Sequence, residues 1–245
     1  MPITTTEHGA GRTIVLVHAT LHDSGDYAAL VPPLADNHRV VQVDWTADTP
    51  DELVDLLDEV AARVGRAVYV GNSVGGYAAA RLAQRRPADV AGVVLVNSAG
   101  FTRHSVATRL FCRFMGYSMV AGVALPLLAR LYLCARTESD RSALVRLRER
   151  AHSADGARRA ARMWRSFPGI DLRASPPGCP TLLVWGTRDL VTAGDDARAA
   201  AAIEGARLVR MRTGHVPFSS DPDEFLAHLV AFIAKVEPMT GIEPA

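Results

Sequence analysis

The sequence predicts an α/β architecture: a mainly parallel sheet of about six strands with helices packed on both faces. Three observations carry this expectation. Short apolar, β-branched runs alternate with amphipathic helical patterns. Polar residues able to do chemistry collect directly after those runs. One tight turn, Gly71-Asn72-Ser73-Val74-Gly75, joins an apolar run to a small-residue helix.

In chain order, Thr13 to Val17 reads as a buried strand ending in His18-Ala19-Thr20, and Val40 to Val43 as another ending in Asp44. Between them, Asp26 to Ala35 carries a helical pattern broken by Pro32 and Pro33. Thr49-Pro50-Asp51-Glu52 supplies an N-cap, a proline for the first helical position and a capping-box glutamate. It opens a helix to about Val64 with Leu53, Leu56, Leu57 and Val60 on one face. Ala67 to Val70, Gly92 to Val96, Thr181 to Trp185 and Arg207 to Met211 are the remaining strand runs. An alanine-rich helix spans Asp195 to Ala202, and Asp221-Pro222-Asp223-Glu224 caps a final amphipathic helix. Few residues precede Thr13, so opening antiparallel strands are expected to be missing or vestigial.

Gly71 to Gly75 has the form of a nucleophile elbow. The strand enters and the helix leaves so steeply that the positions two before and two after Ser73 must lack bulk, which Gly71 and Gly75 do. The helix N-terminus then directs backbone N–H groups and a partial positive charge at the serine. Asp189, in Trp185-Gly186-Thr187-Arg188-Asp189, and His215, in Thr213-Gly214-His215-Val216-Pro217, follow the next-to-last and last strand runs. Ser73 needs a base to become nucleophilic, and a neutral imidazole at His215 is suited to that work. A carboxylate at Asp189 would fix the imidazole tautomer. Asp195 and Asp196 are rival acids, but they fall inside a helical pattern rather than at a strand end.

Taken together, His18-Ala19, the Gly71 to Gly75 elbow, Trp185-Gly-x-x-Asp189 and Gly214-His215-x-Pro217 resemble the α/β-hydrolase superfamily, from about Arg12 to the final helix. The resemblance implies the α/β-hydrolase fold, with a core over residues 1–100 and 167–238, a helical cap over 101–166 and a tail over 239–245. It implies a serine hydrolase cleaving an ester, thioester or related acyl bond of a small lipophilic substrate through an acyl-enzyme on Ser73. Val74 and Thr20 would offer backbone N–H groups to the oxyanion, and His18 would shape the oxyanion loop. The string Gly71 to Gly76 is also similar to that of carbon-carbon bond hydrolases, so cleavage of a vinylogous keto acid is one alternative. A non-hydrolytic binder of small ligands is another. Three positions depart from the family pattern. Ala19 stands where glycine is usual, Asp44-Trp45-Thr46-Ala47-Asp48 replaces a glycine-rich loop, and Val216 stands where the carbon-carbon bond hydrolases tend to have tryptophan.

Within the expected cap, Phe114 to Ala129 is sixteen residues without a charge, interrupted by Pro126. That is shorter than the span of about twenty needed to cross a bilayer, so it reads as a lid over an apolar pocket rather than a stable membrane insertion. Phe111, Phe114, Met115, Tyr117, Met119, Leu125, Leu127 and Leu128 are its candidate wall residues. The expected cap as a whole, 101–166, is rich in arginine, whereas Lys235 is the sole lysine of the chain. One reading is that Arg158, Arg159 and Arg162 steer an anionic substrate or an acyl carrier protein. The plainer reading is a set of solvated helix faces.

The 245 residues, 49% of them hydrophobic, suffice for one domain with an insertion, and the net charge of +1 gives no global reason to expect nucleic acid or an anionic membrane as partner. Cys112, Cys134 and Cys179 are widely spaced and read as reduced thiols of a cytoplasmic protein. The first eleven residues lack a basic start and an apolar stretch. No cofactor or metal is expected. His18, His22 and Asp23 lie on an irregular loop without a fourth ligand.

Overall fold

The strands are β1 (Ile3–His8), β2 (Arg12–Val17), β3 (His38–Trp45), β4 (Ala67–Asn72), β5 (Val90–Val96), β6 (Thr181–Gly186) and β7 (Arg207–Met211). In the computed structural model, which describes residues 2–134 and 136–236, they form one sheet in the order β1-β3-β2-β4-β5-β6-β7. The proposed tail, 239–245, and the last two residues assigned to the core lie outside the described residues. All neighbours are parallel except β1, which runs antiparallel to β3 from Ile3↔Trp45 to His8↔Val40.

The expectation of about six strands therefore falls one short, because the opening strand is present. β1 is an edge strand of which only Ile3 is buried. Its β-branched threonines favour extended backbone without the apolar run that marks the buried strands.

Ten helices complete the described chain: α1 (Val31–Ala35), α2 (Pro50–Val64), α3 (Val74–Arg85), α4 (Val106–Met115), α5 (Ser118–Tyr132), α6 (Glu138–His152), α7 (Ala154–Ser166), α8 (Asp195–Ala202), α9 (Pro217–Ser220) and α10 (Pro222–Val236). Pro32 and Pro33 open α1 rather than break a longer helix, and a 3-10 turn at Ser24–Tyr27 precedes it. Thr49 caps α2 as expected, accepting from the N–H of Glu52 at 3.2 Å. Glu52 reaches one residue further back than a capping box requires, to the N–H of Asp48 at 2.7 Å.

Successive strand residues face opposite sides, so each strand feeds two cores. Val15, Val17, Tyr69, Val93, Leu95 and Leu183 pack under α2, α3 and α8. Ile14, Leu16, Val68, Val70, Val94 and Val184 pack under α1 and α10. From β2 the chain crosses to β3 on one side and then to β4 on the other, so the strand order reverses between β2 and β4. A crevice opens at the carboxyl ends of the strands at such a point. Val17 pairs with Gly71 there, which brings the segments that follow, His18 to Thr20 and Asn72 to Val74, to the same end of the sheet. Helices α4 to α7 are inserted between β5 and β6, over that same end of the sheet.

Candidate active site

Ser73 occupies the turn between β4 and α3 with φ 54° and ψ −118°, a left-handed backbone that only a constrained site holds for serine. The turn is tight enough to forbid side chains around it. A Cβ on Gly71 would lie 2.3 Å from the carbonyl oxygen of Gly75, and one on Gly75 would lie 2.5 Å from that of Val17. Val74 is the first residue of α3 and is fully buried. The α3 amino terminus therefore lies immediately beside the serine hydroxyl.

Asp189 and His215 come together although 26 residues separate them. Nδ1 of His215 donates to Oδ2 of Asp189 at 2.8 Å, and both side chains are buried. Burial acts to raise Asp189. The charge of the facing imidazole outweighs it, together with hydrogen bonds from His215, from the Thr192 hydroxyl at 2.6 Å and from the Val191 N–H at 2.9 Å. The carboxyl is thereby held below its ordinary range. An ionised carboxylate only accepts, so Nδ1 carries a hydrogen toward Asp189, and in the neutral ring the acceptor nitrogen is then Nε2. The rival acids are engaged elsewhere: Asp195 with Thr102 and Arg198, Asp196 with Arg210 at 2.6 Å.

Two cavities meet at Ser73. The larger, about 210 Å³, is walled mainly by apolar side chains, among them Phe111, Leu125, Leu128, Leu131, Tyr132, Trp164, Phe167 and Leu190. The smaller, about 50 Å³, is bounded by Ala19, Thr20, Leu21, His22, Ser73 and His215. Leu125, Tyr132, Trp164, Phe167 and Val191 border both. Ser73, His215 and Thr20, the residue expected to face the oxyanion, thus share one small chamber. His18 opens the loop that carries Thr20. It stacks on Trp45 with ring centroids 4.9 Å apart, its Nδ1 lies 2.8 Å from the Ala19 carbonyl oxygen, and burial pushes its pKa down to about 4.

Of the residues expected to wall the pocket, Phe111, Leu125 and Leu128 do so. Met115 is instead buried in a small cluster with Ala121, Leu125, Ala160 and Ala161 between the inserted helices. Phe114, Tyr117, Met119 and Leu127 face outward and are exposed. The apolar run alone carried no information about which side of each helix met the sheet. The arginines singled out for steering are engaged as well: Arg158 and Arg159 with Asp155, Arg159 and Arg162 with Asp48.

Several residues of the site are not singled out by the sequence. Asn72 and Asn97 hold the backbone of the His215 loop. Tyr132 closes on the imidazole edge-to-face at 5.3 Å while its carbonyl accepts from the His215 N–H at 2.8 Å. Trp164 and Phe167 bring aromatic surface from α7 and the turn that follows it. The buried His22 pairs through Nδ1 with Asp26, which in turn receives Arg146 of α6. An asparagine at the end of one strand, Asn72, and directly after another, Asn97, is a visible signal; the others depend on how the insertion folds back. Among the described residues, no group of three or more His, Cys, Asp or Glu side chains is arranged to hold a metal.

Sheet order, elbow and histidine–carboxylate pair define a class. The model of the alpha/beta hydrolase family matches residues 14–228, and the chain belongs to that family. Several of its curated relatives are named esterases, and an ester hydrolase of the serine type is the class into which it falls. The pimeloyl-[acyl-carrier protein] methyl ester esterase of Stenotrophomonas maltophilia is 30% identical over 95% of this chain and 97% of its own. The corresponding protein of Xylella fastidiosa is 27% identical over 92% and 96%. In fold, a hydrolase from Pseudomonas aeruginosa superposes with a TM-score of 0.78 at 22% identity over 94% of each chain. An enol-lactonase from Burkholderia xenovorans gives 0.76 at 24% over 95% and 96%.

Proposed function

We propose that the protein hydrolyses the ester of a lipophilic acyl group with a small alcohol, through an acyl-enzyme on Ser73. The observation that carries this reading is the unequal pair of cavities meeting at Ser73, about 210 Å³ and apolar on one side, about 50 Å³ and bordered by His215 on the other. The acyl chain takes the larger lobe, where apolar walls favour it. The alcohol leaves through the smaller one, within reach of the residue that must protonate it.

In this reading Nε2 of His215 removes the Ser73 proton as the hydroxyl attacks the ester carbonyl. Asp189 holds the ring in the required tautomer and stabilises the imidazolium. The backbone N–H groups of Val74 and Thr20 take the oxyanion; losing one such donor typically costs on the order of a hundredfold in rate. His215 then gives its proton to the departing alkoxide, and a water activated by the same nitrogen releases the acid. The core and cap division at 101–166 supports the same picture, since Trp164 and Tyr132 from the insertion border both lobes.

The names of the relatives in Stenotrophomonas and Xylella favour a methyl ester, and they favour an acyl chain borne on a carrier protein as one form of the substrate. Comparing free and carrier-linked methyl esters of the same acyl group addresses that point. Carbon-carbon bond cleavage draws support from the Gly71 to Gly76 string alone. Val216 is buried in the core beneath the site and does not replace the tryptophan of that group.

The test is intact-mass spectrometry after a fluorophosphonate probe. One adduct on the wild type, absent from Ser73→Ala and His215→Ala, is expected, with methyl-ester turnover falling on the order of 10⁴-fold or more in Ser73→Ala. A folded wild type that takes no adduct overturns the reading in favour of a ligand-binding role.

A further inference from the structure

The arginines of the insertion divide into two sets. Those of α6 and α7 are largely used within the chain: Arg141 with Glu138, Arg146 and Arg150 with Asp23, Arg159 with Asp155, Arg162 with Asp48. Arg109 and Arg113 of α4 and Arg130 of α5 are exposed and have no carboxylate partner among the described residues. None is near in sequence either, since no Asp or Glu occurs between Asp89 and Glu138.

The same two helices carry exposed apolar stripes. Val106, Leu110 and Phe114 recur every four residues along α4, and Met119, Val123 and Leu127 do so along α5; Met119 is 86% exposed. Residues four apart share one helix face, so each stripe is continuous. A soluble monomer rarely leaves so much contiguous apolar surface open unless something covers it.

Neither helix is long and apolar enough to cross a membrane, and the pair bends by 105°. Apolar stripes flanked by unpaired arginines instead match a helix pair lying in the plane of a lipid–water interface, with the cations among anionic headgroups. The patch also continues into the site. Phe111 and Leu131 are partly exposed at its edge and line the larger cavity at Ser73.

We propose that the outer face of α4 and α5 is a docking surface for an anionic phospholipid bilayer, from which a lipophilic ester passes between Phe111 and Leu131 into the cavity without crossing water. Charge complementarity selects this occupant. A two-fold contact with a second copy would set Arg109, Arg113 and Arg130 of one protomer close to those of the other. The docking itself is independent of the esterase reading; only the passage of substrate rests on it.

The experiment is co-sedimentation of the full chain with vesicles of phosphatidylglycerol and phosphatidylcholine, against phosphatidylcholine alone, at low and high salt. Binding to the anionic vesicles is expected, at least tenfold weaker without the anionic lipid or in Arg109→Gln/Arg113→Gln/Arg130→Gln. It should also be lost in Phe114→Ser/Met119→Ser. Hydrolysis of a short water-soluble ester should be unchanged in both variants, which also shows that they fold. Ser73→Ala should bind vesicles like the wild type, so a failed esterase reading leaves this result standing. Wild-type protein that stays in the supernatant with anionic vesicles overturns the proposal. So does a dimer in sedimentation velocity that the Phe114/Met119 substitutions dissolve, or capture by an acidic carrier protein without vesicle binding.

Discussion

Nδ2 of Asn72, the residue directly before Ser73, donates to the main-chain carbonyl of His215 at 2.9 Å. Nδ2 of Asn97 donates to the same oxygen at 3.0 Å. Two strand ends thus grip the loop that carries the imidazole. Asn97 also accepts from the N–H of Gly186 at 2.9 Å, which leads into the Asp189 loop. One carboxamide therefore sets the separation of the histidine and its carboxylate. Its own φ of 41° is a conformation that asparagine tolerates better than most residues.

Replacing Asn97 by alanine removes these bonds and a third to the Gly214 carbonyl, which strands that carbonyl and the Gly186 N–H, while the His215 carbonyl keeps only Asn72. We expect a loss of roughly 1–3 kcal/mol in denaturant unfolding. Ester turnover should drop about tenfold or more with KM little changed, because the imidazole is displaced while the apolar lobe is untouched. A variant equal to wild type in kcat would remove Asn97 from the positioning of His215.

The elbow predicts a sharper effect. Gly71→Ala puts a methyl 2.3 Å from a backbone carbonyl oxygen, and neither β4 nor α3 can retreat without tearing the sheet or the helix contact. Loss of soluble protein, or destabilisation of about 4 kcal/mol or more, is expected. Gly65→Ala is the control: there a Cβ meets nothing within 4 Å, so its cost comes only from a φ of 73°. Melting curves of the two proteins side by side separate steric exclusion from backbone strain.

Much of this arrangement is legible from the sequence, for physical reasons. Ser73 and Asp189 follow apolar runs that are buried strands, His215 follows the short edge run Arg207 to Met211, and the strand-end rule places all three at one end of the sheet before any coordinates. Thr49 and Asp221 announce helices α2 and α10 by the hydrogen bonds they alone can make. β1 escapes because an edge strand needs no apolar run. The insertion is harder for a different reason. Phe114 to Ala129 is apolar on nearly every side, so its periodicity does not say that Leu125 faces the cavity while Met119 and Leu127 face outward. Long-range pairings such as Arg146 with Asp23 and Asp26, more than a hundred residues apart, leave no local trace.

His18 makes the stability of the fold depend on pH. Burial lowers its pKa from 6.5 to about 4, against the opposing hydrogen bond to Ala19 and the charge of Asp44. Between those values the unfolded chain binds a proton that the folded chain does not. The contribution of neutral His18 is therefore complete above about pH 6.5 and is lost as the pH falls toward 4. The linkage amounts to about 3 kcal/mol over that window, an upper figure from the full shift. Unfolding free energies measured across pH 4 to 7.5 should slope upward, and the slope should flatten in His18→Asn. An unchanged slope in that variant would assign the effect to other groups.

Helix α6 is tied to the turn after β2, the one proposed to carry the oxyanion donor Thr20, through Asp23 and Asp26. Arg146 donates to Asp23 at 2.9 Å and to Asp26 at 2.5 Å, and Arg150 engages Asp23 and the carbonyl of Leu21. Leu21 itself has a φ of 64°, so this turn needs holding. Burial acts to raise Asp26, but the charge and hydrogen bonds of His22 and Arg146 hold it below the ordinary carboxylate range. Its stabilising contribution is thus present above about pH 4 and lost only in stronger acid. Arg146→Gln leaves Asp26 buried with His22 as its remaining partner. Asp26→Asn leaves a half-buried arginine that can turn toward solvent. Arg146→Gln should therefore cost more stability than exposure alone suggests, approaching about 3 kcal/mol, the lower end for breaking a buried pair. It should also lower kcat by loosening the turn that carries Thr20. The double variant Arg146→Gln/Asp26→Asn should recover part of both losses, because no buried charge is then left unpaired. Additive losses in that cycle would mean that the tie between α6 and the turn plays no part in holding the oxyanion loop.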